Sequence, residues 1–292
     1  MKPSILVTGK NGQLGWELQQ VALNYSNYNF IFCDRTELDI ANNSSLEKFF
    51  FENRISIVIN TAGYTAVDKA EAEQEAAYKT NAEAVGNLAR LCHQYTATLI
   101  TFSTDYVFGG NGSAPYKEEH KTDPINYYGY TKWLGEKLAL ENCERSIVIR
   151  TSWVYSTHGN NFVKTMIRLM KEKDQLNIVS DQIGSPTYAK DLAEATMHII
   201  DQLSANDLSI RDIYGIYHYS NEGIISWFDF ASAIKELGEL PCTVNPIPTL
   251  AYPTPAKRPA YSVLDKHKIQ STFGIELKDW KRSLKECIDK MK

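Results

Sequence analysis

The feature that most restricts this chain lies near its start. A short β-branched run, "SILVTG" (4–9), is followed at once by Gly9, Gly12 and Gly15 in "GKNGQLG", and then by a stretch with helical spacing. A chain that leaves a buried strand and enters a helix within a few residues needs positions without Cβ atoms. They allow the tight turn, the close approach of backbone to a phosphate, and close packing of helix on strand. A helix that begins there presents unpaired N–H groups to an anion. Strand, glycine turn and helix together point to a dinucleotide site.

The strand-to-helix change repeats. Runs rich in β-branched residues occur at 4–9, 29–34, 55–63, 97–108 and 146–155, and segments of helical composition lie between them at 13–25, 44–53, 73–95 and 127–142. This alternation predicts a doubly wound α/β fold, a Rossmann-type parallel sheet over residues 1–155. Beyond 155 the rhythm loosens. Helical stretches near 160–173, 187–203, 227–237 and 276–290 are separated by Pro-containing loops such as "GSPTY" and "PIPTLAYPTPAKRP", which predicts a smaller C-terminal substrate-binding lobe over 156–292, with some segments returning to the first sheet. At 292 residues and 43% hydrophobic content the chain can bury a core of that size.

Charge and cysteine usage exclude several classes. A formal net charge of −4 and a pI near 5.9 give no basic excess for nucleic acid or an anionic membrane. Five cysteines, Cys33, Cys92, Cys143, Cys242 and Cys287, are scattered singly, which argues against a disulfide framework or a zinc site and for a reducing compartment. The six histidines are equally dispersed. No apolar run is long enough to span a bilayer and the N-terminus lacks a signal-peptide pattern, so a cytoplasmic location is expected.

At the end of the second predicted strand, Asp34 follows Gly15 by 19 residues, where a carboxylate can accept hydrogen bonds from an adenosine ribose and favour NADH. Arg35 follows directly, and a guanidinium there can hold the 2′-phosphate of NADPH. Either cofactor fits. Further along, "NYYGYTKWLGEK" places Tyr128 and Lys132 four residues apart at a helix start, on one face. A nearby ammonium is expected to lower the phenol pKa, so that Tyr128 donates a proton to a carbonyl oxygen as hydride arrives. Thr104, in "FSTDYVF" at the end of the fourth strand, is placed to hydrogen-bond the same oxygen.

The G-x-x-G-x-x-G spacing resembles the extended short-chain dehydrogenase/reductases. More specifically, "GKNGQLGWEL", "NTAGYTAVDKAE", "FSTDYVFGG", "YYGYTKWLGEK", "RTSWVYSTHGNNFVKTM", "DQIGSPTYAKDLA" and "PTPAKRPAYSVLD" together resemble the dTDP-4-dehydrorhamnose reductase family, from the first strand almost to the C-terminus. That resemblance implies reduction, with NADPH or NADH, of the C4 ketone of dTDP-4-dehydro-L-rhamnose. It implies that Gly12, Gln13 and Leu14 meet the cofactor phosphates, that Asp34, Asp39 and Ile40 meet the adenosine half, and that Ala62, Gly63 and Tyr64 lie beside the cofactor. Thr104, Asp105, Tyr128 and Trp153 would contact the dTDP-sugar, with Lys132 bridging to the cofactor. Trp153 also offers a flat face for stacking. Arg258 could bind the diphosphate with its fork or be an exposed turn charge, and Asn160 and Asn161 could line the sugar site or cap the next helix.

Some members of the family are similar in holding a divalent metal with acidic side chains at a dimer interface. Glu17 fits one such position, but Lys190 stands where another acid would, so no metal requirement is expected and a homodimer is left open. Two rival functions remain. A sugar-nucleotide dehydratase or epimerase shares the fold, but Asp105 is followed by Tyr106, without the acid pair a dehydratase of this type carries. A non-catalytic dinucleotide-binding subunit, resembling the regulatory beta subunit of methionine adenosyltransferase, is opposed by the intact Thr104, Tyr128 and Lys132.

Overall fold

The computed structural model describes residues 2–204 and 213–292. Its first half alternates as the pattern predicts. β1 (Ser4–Thr8), α1 (Gln13–Ala22), β2 (Asn29–Cys33), α2 (Asn43–Asn53) and β3 (Ile55–Asn60) are followed by two short helices, α3 (Val67–Ala70) and α4 (Gln74–Tyr78). Then come α5 (Ala84–Gln94), β4 (Thr98–Thr104), the long α6 (Tyr127–Asn142) and β5 (Ser146–Thr151). These strands read as nearly unbroken apolar runs because both faces are covered.

The second half contains β6 (Val154–Tyr155), α7 (Phe162–Glu172), β7 (Gln175–Val179), β8 (Ile183–Gly184), β9 (Thr187–Tyr188), α8 (Ala189–Ser204) and β10 (Gly215–His218). It closes with β11 (Ile225–Ser226), α9 (Trp227–Gly238), β12 (Thr243–Ile247), α10 (His267–Phe273) and α11 (Trp280–Asp289). The main sheet has the order β10-β5-β4-β3-β1-β2, with every neighbouring pair parallel. Strand order reverses between β1 and β3. In such a sheet the ligand crevice opens beyond the carboxyl ends of the strands at that reversal.

One face of the sheet packs Leu14, Leu18 and Val21 of α1 against Leu192, Ile199 and Ile200 of α8, and the other packs α2, α5 and α6 through Leu46, Phe50, Leu88 and Ala139. A third cluster, around Tyr155, Met166, Tyr188, Phe230 and Leu284, forms the core beside α7, α9 and α11. Elements from both sides of residue 155 therefore build the central sheet, as β10 shows by pairing with β5.

Two expected elements are interrupted. The strand expected over 146–155 breaks at Trp153, whose φ is +47°. The helix expected over 73–95 contains a wider π turn over Lys79–Glu83. Lys79, Ala82 and Glu83 favour a helix and Thr80 and Asn81 only weakly so, a composition that does not distinguish a π turn from an α turn. The parallel pair β7 and β12 was also unforeseen.

Candidate active site

The turn between β1 and α1 depends on its glycines. Gly9 has φ +74°, and a Cβ there would lie 2.7 Å from the Ala62 backbone nitrogen. A Cβ on Gly15 would collide with the Gly9 carbonyl oxygen. Gly12 caps α1 without any side-chain hydrogen bond, so the helix N-terminus opens onto the crevice with its N–H groups available.

Two adjoining cavities follow the carboxyl ends of the strands. The larger, about 570 Å³, is lined by Gly12, Gln13 and Leu14, by Ala62 and Gly63, and by Thr104, Asp105, Tyr128, Lys132, Trp153, Asn160 and Asn161. The other, about 380 Å³, takes in Gly9, Asp34, Arg35, Asp39, Ile40 and Tyr64. Residues from six separate sequence segments thus converge on one crevice. Gly15 lies under the turn rather than on the wall.

Tyr128 and Lys132 sit in the first turns of α6. Asn126 caps this helix, its Oδ1 accepting from Gly129 N at 2.7 Å while its Nδ2 donates to the Lys257 carbonyl at 2.8 Å. The Tyr127 N–H donates to Glu71 at 2.8 Å. The π turn supplies Asn81, whose side chain accepts from Tyr64 N at 2.8 Å and donates to Tyr64 O at 3.0 Å and Thr131 Oγ1 at 3.1 Å. Asn81 thereby ties the β3 edge to the Tyr128 helix, a use of a π turn at a functional site. One turn further, Glu136 and Arg150 form a buried fork with bonds of 2.9 and 2.7 Å.

The electrostatics correct one expectation. Tyr128 is not drawn toward neutrality by Lys132; burial raises its pKa to about 12, a rise that the adjacent Asp105 charge adds to and the Thr104 hydroxyl opposes. Tyr106 stands edge-on to it at 6.0 Å. Burial also lowers Lys132 to about 8, partly countered by Glu136. In the chain alone desolvation outweighs the mutual attraction of the pair. Asp105 is pushed up to about 6 by burial, and its Oδ2 has no hydrogen-bond partner. Ser103 Oγ is likewise buried without a partner and lines the cleft. Ser103 was missed in the sequence although "FST" places it beside Thr104.

Other predicted residues have specific surroundings. Trp153 stacks one face on Trp227, with ring centroids 3.6 Å apart. Asn161 does cap α7, accepting from Lys164 N at 3.1 Å, and also donates to Gln13 Oε1 at 3.0 Å, so capping and cleft roles coincide. Arg258 is held by Asp68 through bonds of 3.0 and 2.8 Å, and lines a third cavity, about 640 Å³, with Phe162, Met166, Trp227 and Tyr252. Glu17 is buried and accepts from Ser156 Oγ at 2.7 Å, while Lys190 pairs with Glu286 at 2.5 Å. Among the described residues no cluster of three or more His, Cys, Asp or Glu side chains is arranged to hold a metal ion. No described helix is long and apolar enough to cross a membrane.

A Rossmann crevice with a glycine turn at one end, and a tyrosine, a lysine and paired hydroxyls at the other, defines a nicotinamide-dependent oxidoreductase of the short-chain type. The whole chain, residues 1–292, matches the family described as RmlD substrate binding domain. The chain belongs to the dTDP-4-dehydrorhamnose reductase family. A relative of that name from Aggregatibacter actinomycetemcomitans is 42% identical, over 96% of this chain and 97% of its own. Among solved structures, the reductase from Clostridium acetobutylicum superposes with a TM-score of 0.93 at 42% identity, covering 99% of both chains. That from Bacillus anthracis, solved in complex with NADP, superposes with 0.92 at 39% identity, covering 99% of this chain and 100% of its own.

Proposed function

We propose that the chain reduces the C4 ketone of dTDP-4-dehydro-L-rhamnose to dTDP-L-rhamnose with NADPH or NADH, and that the side chains converging on the crevice divide this work. The observation that carries the reading is the shared cleft: Thr104, Tyr128 and Lys132 open onto the same space as the uncapped N-terminus of α1. The residues present fit a dinucleotide, because the glycine cradle has no room for Cβ atoms and leaves backbone N–H groups for a diphosphate.

The bound cofactor supplies hydride. Gly12, Gln13 and Leu14 hold its diphosphate, Asp34, Arg35, Asp39 and Ile40 its adenosine half, and Ala62, Gly63 and Tyr64 its flank. Tyr128, with a pKa near 12, is a phenol throughout the neutral range and donates its proton to the carbonyl oxygen as that oxygen gains charge. Thr104 Oγ1 and Ser103 Oγ are further hydroxyls at that oxygen, and their dipoles favour the charged form. Lys132, protonated below about 8, stabilises the tyrosinate left behind and binds ribose hydroxyls. Asp105 Oδ2 accepts from a sugar hydroxyl, Trp153 and Asn161 flank the sugar, and Arg258 takes the diphosphate of the dTDP group.

This division assigns 1–155 mainly to the cofactor and 156–292 mainly to the sugar nucleotide. A cytoplasmic setting, no nucleic-acid or membrane partner and no required metal accompany the reading, which commits to no oligomeric state. The test is oxidation of NADH or NADPH on addition of dTDP-4-dehydrorhamnose. Consumption that depends on the sugar nucleotide supports it, and none overturns it.

A further inference from the structure

The backbone at Trp153 takes a conformation that a tryptophan rarely adopts. Its φ of +47° lies in the left-handed region, where Cβ crowds the following carbonyl and glycine or asparagine sits at least cost. A kink is needed there, because the chain leaves the main sheet at Thr151 and pairs through β6 with β9, Val154 opposite Thr187. Both sides of the kink are pinned: Ser152 Oγ donates to the Ser185 carbonyl at 2.6 Å, and the Thr187 N–H donates to the Trp153 carbonyl at 3.3 Å. The kink accounts for the dihedral but not for the tryptophan. Strain of this kind persists where the surroundings over-determine it, and it collects at ligand sites.

Two elements hold the side chain. Trp227 lies against one face of the indole, with ring centroids 3.6 Å apart and planes inclined by 13°. It is the first residue of α9, and a capping box of Ser226 and Asp229 fixes that helix start. Phe162 packs on Trp227 in turn, with centroids 4.6 Å apart. Gly184 passes so close that a Cβ on it would lie 2.7 Å from Cε2 and Cζ2 of Trp153. The indole is left little freedom. Trp153 lines the cavity that holds Tyr128, and Trp227 lines the one that holds Arg258, so the stacked pair reaches from one to the other.

Resting on the reading of Trp153 as a contact of the sugar, we propose that Trp227 is a positioning residue for the sugar nucleotide: by stacking on Trp153 it keeps a strained tryptophan as a fixed wall of the sugar cavity. A side chain settled before the ligand arrives costs no ordering on binding. Trp227 acts through Trp153, and its effect belongs to binding of the sugar rather than to proton or hydride transfer.

The test is steady-state reduction of dTDP-4-dehydrorhamnose by Trp227→Leu, beside its Kd for NADH and its circular dichroism. KM should rise roughly five- to tenfold, the size of one lost aromatic pair, with kcat held within about threefold and the Kd for NADH unchanged. Trp227→Phe keeps a flat face and should recover most of the loss. In a Trp153→Leu background Trp227→Leu should add nothing. Gly184→Ala drives a methyl into the indole; it should raise KM in the same way, and it gives the answer if Trp227→Leu does not fold. The stacked indoles should also produce an exciton couplet in the wild type that Trp227→Leu and Trp153→Leu each abolish. An unchanged KM, a rise that survives in the Trp153→Leu background, a parallel loss of NADH affinity, or a missing couplet would overturn the proposal while leaving the proposed function intact. A wild type that consumes no dinucleotide with this sugar nucleotide would overturn that function with it.

Discussion

Asp105 is held in a state that costs the fold. It is 2% exposed, its Oδ1 accepts from Thr104 Oγ1 at 3.0 Å, its Oδ2 is unpartnered, and burial raises its pKa from 3.8 to about 6. An acid whose folded pKa is raised is bound to its proton more tightly in the native state. The folded form is therefore penalised as pH rises, from nothing below 3.8 to the full amount above 6. The gap corresponds to about 3 kcal/mol at neutral pH, of which about 1 kcal/mol is already present at pH ~4.5.

Asp105→Asn removes the titration. Whatever constant offset the amide introduces, its stability relative to wild type should therefore rise by about 2 kcal/mol between pH ~4.5 and ~7.5. Urea unfolding of both proteins at the two pH values measures this difference. Parallel pH profiles would refute the reasoning, as would a variant that gains relative stability toward acid. Activity should fall as stability rises, because the variant weakens the proposed contact of Asp105 with the sugar.

Three further perturbations bear on the support of the site. Glu136→Gln leaves the Arg150 guanidinium buried beside a neutral partner and should cost roughly 3–5 kcal/mol in denaturant unfolding; a loss below about 1 kcal/mol would mean the fork is replaceable. Gly15→Ala drives a methyl into the Gly9 carbonyl and should weaken NADH binding more than about tenfold, since it opens the turn that aims N–H groups at the diphosphate; unchanged affinity by fluorescence titration would contradict the cradle. With Lys132 near 8, kcat for reduction should fall as pH rises through that value, because the ammonium that stabilises the tyrosinate is lost; a profile flat well above it would remove Lys132 from that role.

The sheet was legible because each strand of the first half is an apolar run between glycine turns and helices, and period and length agree at every element. The site was legible where a residue type and its spacing carry chemistry, as with the glycine turn and the Tyr128–Lys132 pair. What escaped was set by distant contacts. The π turn that delivers Asn81 packs against α6 at Gly135, where a Cβ would collide with the Asn81 carbonyl, a contact between residues 54 positions apart. The direction of the Tyr128 shift follows from burial under Tyr106 and beside Asp105, which helix spacing cannot report. Arg258 could be read as a phosphate ligand, but its partner Asp68 lies 190 residues away.

The most direct measurement of the central claim is the kcat of Tyr128→Phe with dTDP-4-dehydrorhamnose and NADH, beside its Kd for NADH. If Tyr128 is the proton donor, kcat should drop by about 10²-fold or more while the Kd stays within about threefold, since one cofactor contact among many is lost. A variant that keeps near wild-type kcat would show that the proton comes from elsewhere and contradict the account.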